Sequence, residues 1–495
     1  MLSFGFFAVA ALTVALAFAG CGNSDTDKVD SKIRSDVTSG STQTIGGLTL
    51  PTSTGTPTPK EAEQIAQAGY TFGFPLVAMK STMDQVTKVP KAEAHAAPVN
   101  QFNTPSKPLT PAFTAIPGVP VDMLFSSAWL DLSKEPLVFT MPDTGGIYNQ
   151  MTILSGWSNV LEAPGARTTG TGQQDYLIAG PGWDGETPEG VKLIKSPTNI
   201  VWIEGSNQYD GPKSLEAVNK VQAGYKLTPL SSWGESFAPP SNVPVNKNVD
   251  TSSTPQSQIQ KMPAQEFFSK FAKLMDTNPP SAADAPVMKQ LARIGVVPGK
   301  EFDWNSMGGE TQRKVTRGVK KGNAQVLKLG LRIPGSTKAN GWTVNLEKGW
   351  GDYGTDYTLR AAAAFSALGA VLPQDDVYFI HGGDAKRNNY TIKFPAGQEP
   401  PANAAWGIDM YNSKLHLVKN SANRYAIGPH LAPVSRESDG SFTVFVQNKK
   451  PSSKKDQQNW LPAPDGAFVV VMHVYWPKEP VLNGDWSPPA LNKAN

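Results

Sequence analysis

The stretch FSSAWLDLSKEPLVFTMPDTGGIY, Phe125 to Tyr148, gathers Ser126, Ser127, Asp131, Ser133, Lys134 and Glu135 close together. These are the residue types of a nucleophile and its helpers. A serine attacks when a neighbouring base takes its proton, and a lysine is that base only where burial keeps it neutral. The spacing argues against such a pair here. With a period of two, Leu124, Ser126, Ala128, Leu130 and Leu132 share one strand face, and Phe125, Ser127, Trp129, Asp131 and Ser133 share the other. SKEP then reads as a turn, where Ser133 favours local backbone bonds and Lys134 is solvated. LVFTM reads as the next strand and PDTGG as the next turn, so a meander of hairpins is expected. Asp122 and Trp129 are the better site candidates, presenting a polar tip and a ring at the sheet surface.

Other chemistry-bearing patterns are incomplete. Gly156-Trp157-Ser158-Asn159-Val160 lacks the last glycine of a nucleophile elbow. Gly295 to Lys300 is one residue short of a phosphate loop and lacks its Ser/Thr. RTTGTGQQD, Arg167 to Asp175, is a Gly-rich loop with one arginine. It suits a carboxylate or phosphate, but no helical pattern follows it, which favours a long hairpin loop. His95, His381, His416, His430 and His473 lie far apart in sequence, so a metal site would need long-range convergence, and none is assigned. No motif calls for a cofactor. Carboxylates form no local pair, although glycosidase pairs commonly come from different strands. His416, between Leu415 and Leu417, faces either a cleft or solvent. Trp129, Trp157, Trp183, Trp202, Trp406, Trp460, Trp476 and Trp486 are scattered through the strand-like text. They serve as core or as rings that stack on flat ligands, core being the commoner use.

The elements that must position these residues follow from the bulk numbers. A chain of 495 residues needs two or three cores. Its 45 glycines and 42 prolines favour short strands and turns. A net charge of +3 is too small for nucleic-acid binding. Phe4 to Gly20 is an uncharged apolar run that reads as an export signal, and the single cysteine, Cys21, follows Phe18-Ala19-Gly20 as in a lipobox. Phe18 stands where leucine is usual, and the run is not preceded by Lys or Arg. Residues 1–21 are thus expected to be a signal peptide ending in a lipidated Cys21, anchoring the chain to the bacterial envelope facing the periplasm or exterior; plain secretion is the alternative. With Cys21 acylated, no thiol remains for disulfides, metal or catalysis.

Residues 22–59 read as a flexible tether. Residues 60–235 read as an N-terminal β-sandwich domain, opening on a helical pattern with Ile65, Ala68, Phe72 and Leu76 on one stripe and Pro75 as a kink or start. Residues 236–341 read as a linker and helical segment, where Phe267, Phe268, Phe271, Leu274 and Met275 share a face. Its basic run, Arg313 to Lys321, is either a solvated helix face or an anion site. Residues 342–495 begin with the short helix TDYTLRAAAAFSALGAV. Strands follow at VYFIHGGD, NNYTIKF, AAWGIDMYN, HLVKN, FTVFVQNK and AFVVVMHVYWP, as in a sandwich or jelly roll.

GYTFGFPLVAMK, APVNQF, SSAWLDLSKEP, RTTGTG, SPTNIVWI and GYKLTPLS resemble the first of two linked bacterial domains of unknown function, numbered 1254 and 1214. GDYGTDYTLRAAAAFSALGA, MYN, NRYAIG, NWLPAP and VYWPK resemble the second. The resemblance covers roughly Lys60 to Leu230 and Trp342 to Pro489. It implies a mainly β protein with a helical middle segment, an immunoglobulin-like sandwich followed by a jelly-roll-like sandwich. It implies no established reaction; hydrolysis and carbohydrate-linked roles rest on fold analogy. Asp122, Arg167, Asn199, Asn423, Arg424 and Trp460 match the shared blocks and, with Trp129, are the ligand-site candidates. The sequence departs from the family at Gly118-Val119-Pro120-Val121, usually Arg-Pro-Asn, at Gly146, usually arginine, and at Pro429-His430, usually Asp-Arg. Two functions follow. One is an envelope protein binding a small molecule or glycan between two β domains. The other is an extracytoplasmic hydrolase of a glycan or ester. A paired carboxylate, or a histidine within reach of one, favours the second; rings and amides alone favour the first.

Overall fold

The structure is a computed structural model describing residues 41–114, 117–332, 335–346, 349–431 and 434–494. The export signal, Cys21 and residues 22–40 of the expected tether lie outside these residues; from residue 42 the expected tether is instead structured, because Leu48 and Leu50 are buried in the helical core. A hairpin, β1 (Thr42–Ile45) and β2 (Leu48–Pro51), leads to α1 (Pro59–Val86). Thr58 and Glu61 start this helix by exchanging backbone and side-chain bonds in a capping box, with Pro59 at its first position. The helix runs through Pro75 without restarting, and nearly every side chain from Ile65 to Met79 is buried.

Next come β3 (Phe102–Asn103), β4 (Met123–Asp131), β5 (Leu137–Met141), β6 (Asn149–Ser155), β7 (Val160–Glu162), β8 (Gln174–Ala179), β9 (Lys192–Lys195), β10 (Ile200–Gln208), α2 (Leu215–Gly224) and β11 (Lys226–Pro229). They form a five-stranded sheet, β3-β4-β10-β6-β7, facing a four-stranded sheet, β11-β5-β8-β9. The expected meander is not formed. β4 pairs with β10 while β5 pairs with β8 in the other sheet, so SKEP and PDTGG carry the chain between layers. RTTGTGQQD likewise crosses between sheets and is no hairpin loop. The alternation in β4 does hold. Ala128 and Leu130 enter the core between the sheets, while Trp129 points the other way, into the helices.

The middle holds α3 (Pro255–Lys261), α4 (Ala264–Thr277), α5 (Ala285–Arg293) and α6 (Gly309–Arg332). The second sheet domain contains β12 (Ser336–Ala339), β13 (Trp342–Asn345), α7 (Tyr357–Ser366), β14 (Asp376–Asp384), β15 (Asn389–Phe394), β16 (Trp406–Asn412), β17 (Ala426–Ile427), β18 (Phe442–Gln447), α8 (Lys454–Gln458), β19 (Trp460–Pro462), β20 (Ala467–Tyr475), α9 (Glu479–Leu482) and β21 (Leu491–Ala494). Its sheets are β12-β13-β14-β20-β16-β17 and β19-β18-β15-β21. HLVKN, expected as a strand, is loop, and Leu415 just before it has φ +57°. His416 is half-buried in that loop, its N–H donating to Asn412 Oδ1 at 3.1 Å.

The fold is therefore mixed helix and sheet, with mostly antiparallel sheets and a larger helical layer than a mainly β reading allows. α1 is the axis of that layer. Phe267, Phe268 and Phe271 of α4 pack on it, as do Val315, Val319 and Val326 of α6. Gly318 and Gly322 let α6 approach closely, because a Cβ there would lie 2.3 Å from Glu63 O and 2.8 Å from Gln67 O. The basic run belongs to this contact. Lys314, Arg317 and Lys321 reach Glu63 of α1 at 3.5, 3.4 and 2.6 Å. The five-stranded sheet lies between the helices and the four-stranded sheet, which is why β6 is buried on both faces.

Candidate functional site

The opening Ser/Lys cluster builds structure. Ser133 and Lys134 are exposed in the turn after β4, and the Ser133 N–H donates to Asp131 Oδ1 at 3.0 Å. Ser127 Oγ accepts from Trp202 Nε1 at 2.8 Å, and Ser126 Oγ accepts from Gln222 Nε2 at 3.3 Å.

Chemistry-bearing side chains gather instead at the seam between the two sheet domains. Three adjacent strands of the six-stranded sheet point polar residues at the first domain. In β20, Val470, Met472 and Val474 enter the domain core, so His473 and Tyr475 face the seam. Antiparallel pairing sets Tyr378 of β14 opposite His473, Asp376 opposite Tyr475, and Gly407 of β16 opposite His473. Asp376, Tyr378 and Asp409 thereby share the face.

Asp122, just before β4, is fully buried against them. Tyr475 Oη donates to its Oδ1 at 2.7 Å, and His430 Nε2 lies 3.2 Å from Oδ2, a charged contact rather than an aligned hydrogen bond. Gly407 makes this approach possible, since a Cβ there would sit 2.6 Å from Asp122 Oδ2. His473 Nδ1 lies 3.2 Å from Asp376 Oδ2, and its Nε2 lies 3.8 Å from Asp409 Oδ2. Asp409 Oδ1 accepts the Val121 N–H at 3.1 Å, tying β16 to the first domain.

These environments separate the proton affinities. Burial pushes the Asp122 carboxyl up, but the His430 cation outweighs it, and the group stays below the ordinary carboxylate range. Burial raises Asp376 to about 6, the His473 cation opposing. Burial and the Asp122 charge raise Asp409 to about 8. Burial disfavours the His473 cation, but its carboxylates prevail and lift it to about 9. Among the described residues no group of three His, Cys, Asp or Glu side chains has the geometry to hold a metal ion.

Beside the cluster lies a cavity of about 50 Å³, lined by Gln150 and Glu204 of the first domain and by Asp376, Tyr378 and Tyr475 of the second. Such a volume holds a few waters. Glu204 is buried, and burial pushes its carboxyl well above the ordinary range, with a Ser127 hydrogen bond opposing. Its Oε2 has no hydrogen-bond partner among the described residues. Nearby, Arg167 crosses the seam from its loop. Its Nε and Nη2 donate to Asp375 Oδ1 and Oδ2 at 2.6 and 2.9 Å, a two-point clamp on the residue before Asp376.

The seam therefore brings together Asp122 and Arg167 of the sequence candidates. Trp129 is buried on the other side of the sheet, stacked on Trp202 with centroids 4.6 Å apart. Asn199 is half-buried at the start of β10, its carbonyl accepting the Leu132 N–H at 3.0 Å. Arg424 Nη1 donates to the carbonyls of Gln457, Gln458 and Trp460 at 3.1, 2.9 and 2.8 Å, tying the end of α8 to β19. Trp460 Nε1 donates to Gln447 O at 2.8 Å, and its ring lines a separate crevice of about 280 Å³. Asn423 is an exposed turn residue with φ +46°. Sequence reasoning missed Asp376, Asp409, His473, Tyr475 and Glu204. The available signal was polar residues alternating with core residues inside DVYFIHGGD, WGIDMYN and AFVVVMHVYWP.

Residues 99–229 match the family model of DUF1254 and residues 381–479 that of DUF1214, each described as a protein of unknown function. The two matches follow one another in that order along the chain. Asp122, Arg167 and Glu204 fall in the DUF1254 match, and Asp409, His430, His473 and Tyr475 fall in the DUF1214 match. Asp375 and Asp376 lie just before the second match. The VPA0106 protein of Vibrio parahaemolyticus shares the fold, with a TM-score of 0.64 at 18% identity over 88% of this chain and 100% of its own. An uncharacterized Burkholderia cenocepacia protein aligns at a TM-score of 0.42 and 11% identity, over 86% of this chain and 88% of its own. No curated protein matches the chain significantly. No helix among the described residues is long and apolar enough to cross a membrane.

Proposed function

We propose that this is an exported bacterial lipoprotein whose seam cavity binds a small polar ligand between the DUF1254 and DUF1214 domains. One observation carries the reading. Two buried carboxyl groups, Glu204 from one domain and Asp376 from the other, line the same space; burial pushes both up, Glu204 without a facing cation and Asp376 with the His473 cation opposing. A protonated carboxyl donates and an ionised one accepts, so a hydroxyl- or amide-bearing ligand satisfies both. A volume of about 50 Å³ favours a small molecule; a glycan chain requires the domains to part. Cys21 after the apolar run supports a lipid anchor on the envelope, with the polar residues 22–40 as the tether. We read the first sandwich as immunoglobulin-like and the second as jelly-roll-like, as the domain pair implies.

A second reading, an extracytoplasmic hydrolase, is favoured by His473 behind Asp376 at 3.2 Å. That is the carboxylate–imidazole contact that distinguishes acid–base chemistry from a groove of rings and amides. Asp376 would take a proton from water and Glu204 would give one to the leaving group.

One experiment tests both. The full chain is melted against sugars, organic acids, lipids and divalent metals, and each stabilising compound is weighed by mass spectrometry after incubation. A ligand that binds only the native state raises the melting temperature. An unchanged hit supports binding and a converted one hydrolysis, provided Glu204→Gln and Asp376→Asn abolish the effect. Hits indifferent to both variants, or a flat panel, would remove the seam as the site.

A further inference from the structure

A serine–lysine contact does occur in this protein, away from the adjacent pair that the turn after β4 exposes. Lys270 Nζ of α4 lies 2.8 Å from Ser81 Oγ of α1, bridging 189 positions of sequence. Ser81 is 6% exposed. Both residues line a cavity of about 690 Å³ between α1, α4, the end of α3 and the 246–253 segment. That segment is a fixed wall, because Gln85 Nε2 donates to the carbonyls of Asp250 and Ser253 at 2.9 Å each.

Two features set the pair apart. Several helical hydroxyls bond back to the carbonyl one turn earlier, as Thr71 does to Gln67 O at 3.3 Å and Ser366 to Ala362 O at 2.9 Å. Among the described residues the hydrogen-bond partner of Ser81 Oγ is Lys270 instead. Lys270, in turn, makes no ion pair among the described residues, because the nearby Asp84 carboxylate is taken by Lys80. Lys270 is faced by Lys80 and Asp84 of α1, Glu266 of α4, Lys261 of α3 and Asp250 of the wall. Burial pushes its pKa below the ordinary lysine value, with Asp84 and Glu266 opposing and Lys80 assisting. A lysine moved in that direction holds more of its population in the neutral form that can accept a proton.

We propose that Ser81 is a nucleophile and Lys270 its general base, forming a second reactive site that takes the acyl group of a polar ester. Neutral Lys270 accepts the Ser81 hydroxyl proton while Oγ bonds to the ester carbonyl carbon. The carbon–oxygen bond to the alcohol then breaks, and the alcohol leaves with the proton held by Lys270. Water attacks the acyl-serine, Lys270 takes the proton of that water, the acid departs, and Ser81 Oγ recovers the proton. Carboxylates and amides around the cavity, among them Asp84, Asp250, Glu266 and Gln258, suit a polar substrate.

The full chain is exposed to a fluorophosphonate probe, and the modified residue is located by peptide mass spectrometry. The expected result is one adduct on Ser81, formed faster as pH rises and Lys270 loses its proton. Ser81→Ala abolishes it. Lys270→Arg keeps a donor at the serine but cannot deprotonate, so it should retain the melting temperature and lose labelling by about 100-fold or more. Ser81 unmodified under conditions that label a known serine hydrolase would overturn the proposal. So would equal labelling in a folded Lys270→Arg or Lys270→Met variant, which would leave the contact a structural hydrogen bond.

Discussion

Raising the pH from about 7 to about 8 should destabilise this protein, and the seam cluster sets the size of the effect. His473 is fully buried, with a pKa of about 9 against 6.5 when unfolded. Its contribution to stability is complete below the unfolded value and is lost as pH rises through about 9. Asp409 is fully buried, with a pKa of about 8 against 3.8 when unfolded. Ionising it in place costs stability from the unfolded value upward, until the folded group also ionises at about 8. Near neutrality the folded chain thus holds roughly 0.75 proton more than the unfolded chain at His473 and roughly 0.9 more at Asp409. Averaged over the interval this is about one and a half protons, or about 2 kcal/mol lost per pH unit. Urea unfolding at the two pH values measures the slope. Lys270, whose pKa is depressed, pulls the other way. The decisive comparison is therefore with Asp409→Asn, which leaves Lys270 unchanged and still offers an oxygen to the Val121 N–H. The variant should lose about 1 kcal/mol per pH unit of that slope. Identical slopes in the two proteins would refute the assignment of the bound proton to this cluster.

Two further perturbations probe the seam. Arg167→Ala removes both donors from Asp375, which is buried and already shifted up by that burial. It should cost about 3 kcal/mol near neutral pH and less as the pH falls and Asp375 takes up a proton. A double-mutant cycle with Asp375→Asn should give a coupling above about 1.5 kcal/mol, and a value under about 0.5 kcal/mol would dismiss the clamp. Gly407→Ala drives a methyl to within 2.6 Å of Asp122 Oδ2 and should cost about 1–3 kcal/mol. Gly382→Ala, whose methyl meets Phe468 O at 3.4 Å, should melt nearly as wild type; equal losses would show that the Asp122 contact is not the cause.

Much of the fold was legible because it rests on local rules. Thr58, Pro59 and Glu61 spell a helix start, and the phenylalanines of α4 recur at helical spacing onto one buried face. Strand text was legible for the same reason, yet strand partners were not. SKEP and PDTGG resemble hairpin turns, but a sandwich crossover uses the same turn residues, and nothing within ten residues reveals which sheet a strand joins. The helical layer was hidden similarly. α1 looks like the opening of the first sheet domain, whereas α6, more than two hundred residues later, supplies its main partner through Gly318 and Gly322.

The seam was legible only in part for a deeper reason. Asp122 and Arg167 stand out in conspicuous loops, whereas Asp376, Asp409 and His473 lie inside strands whose other face is core. A polar residue within an apolar strand reads as solvent-facing, and in a lone sheet it would be. Here a second domain covers that face, so the same alternation buries Asp376, Asp409 and His473, and the loop residues Asp122 and His430 close against them. Burial removes water as their solvent, and each must then be neutralised by another member or hold its proton. That constraint makes the cluster sensitive to how the domains meet. Parting them would hydrate Asp376, Asp409 and His473 and let each return toward its ordinary acidity, releasing the protons the closed seam retains. Closure and proton uptake are thus one equilibrium, and a ligand bridging Glu204 and Asp376 would bias it from both sides of the seam.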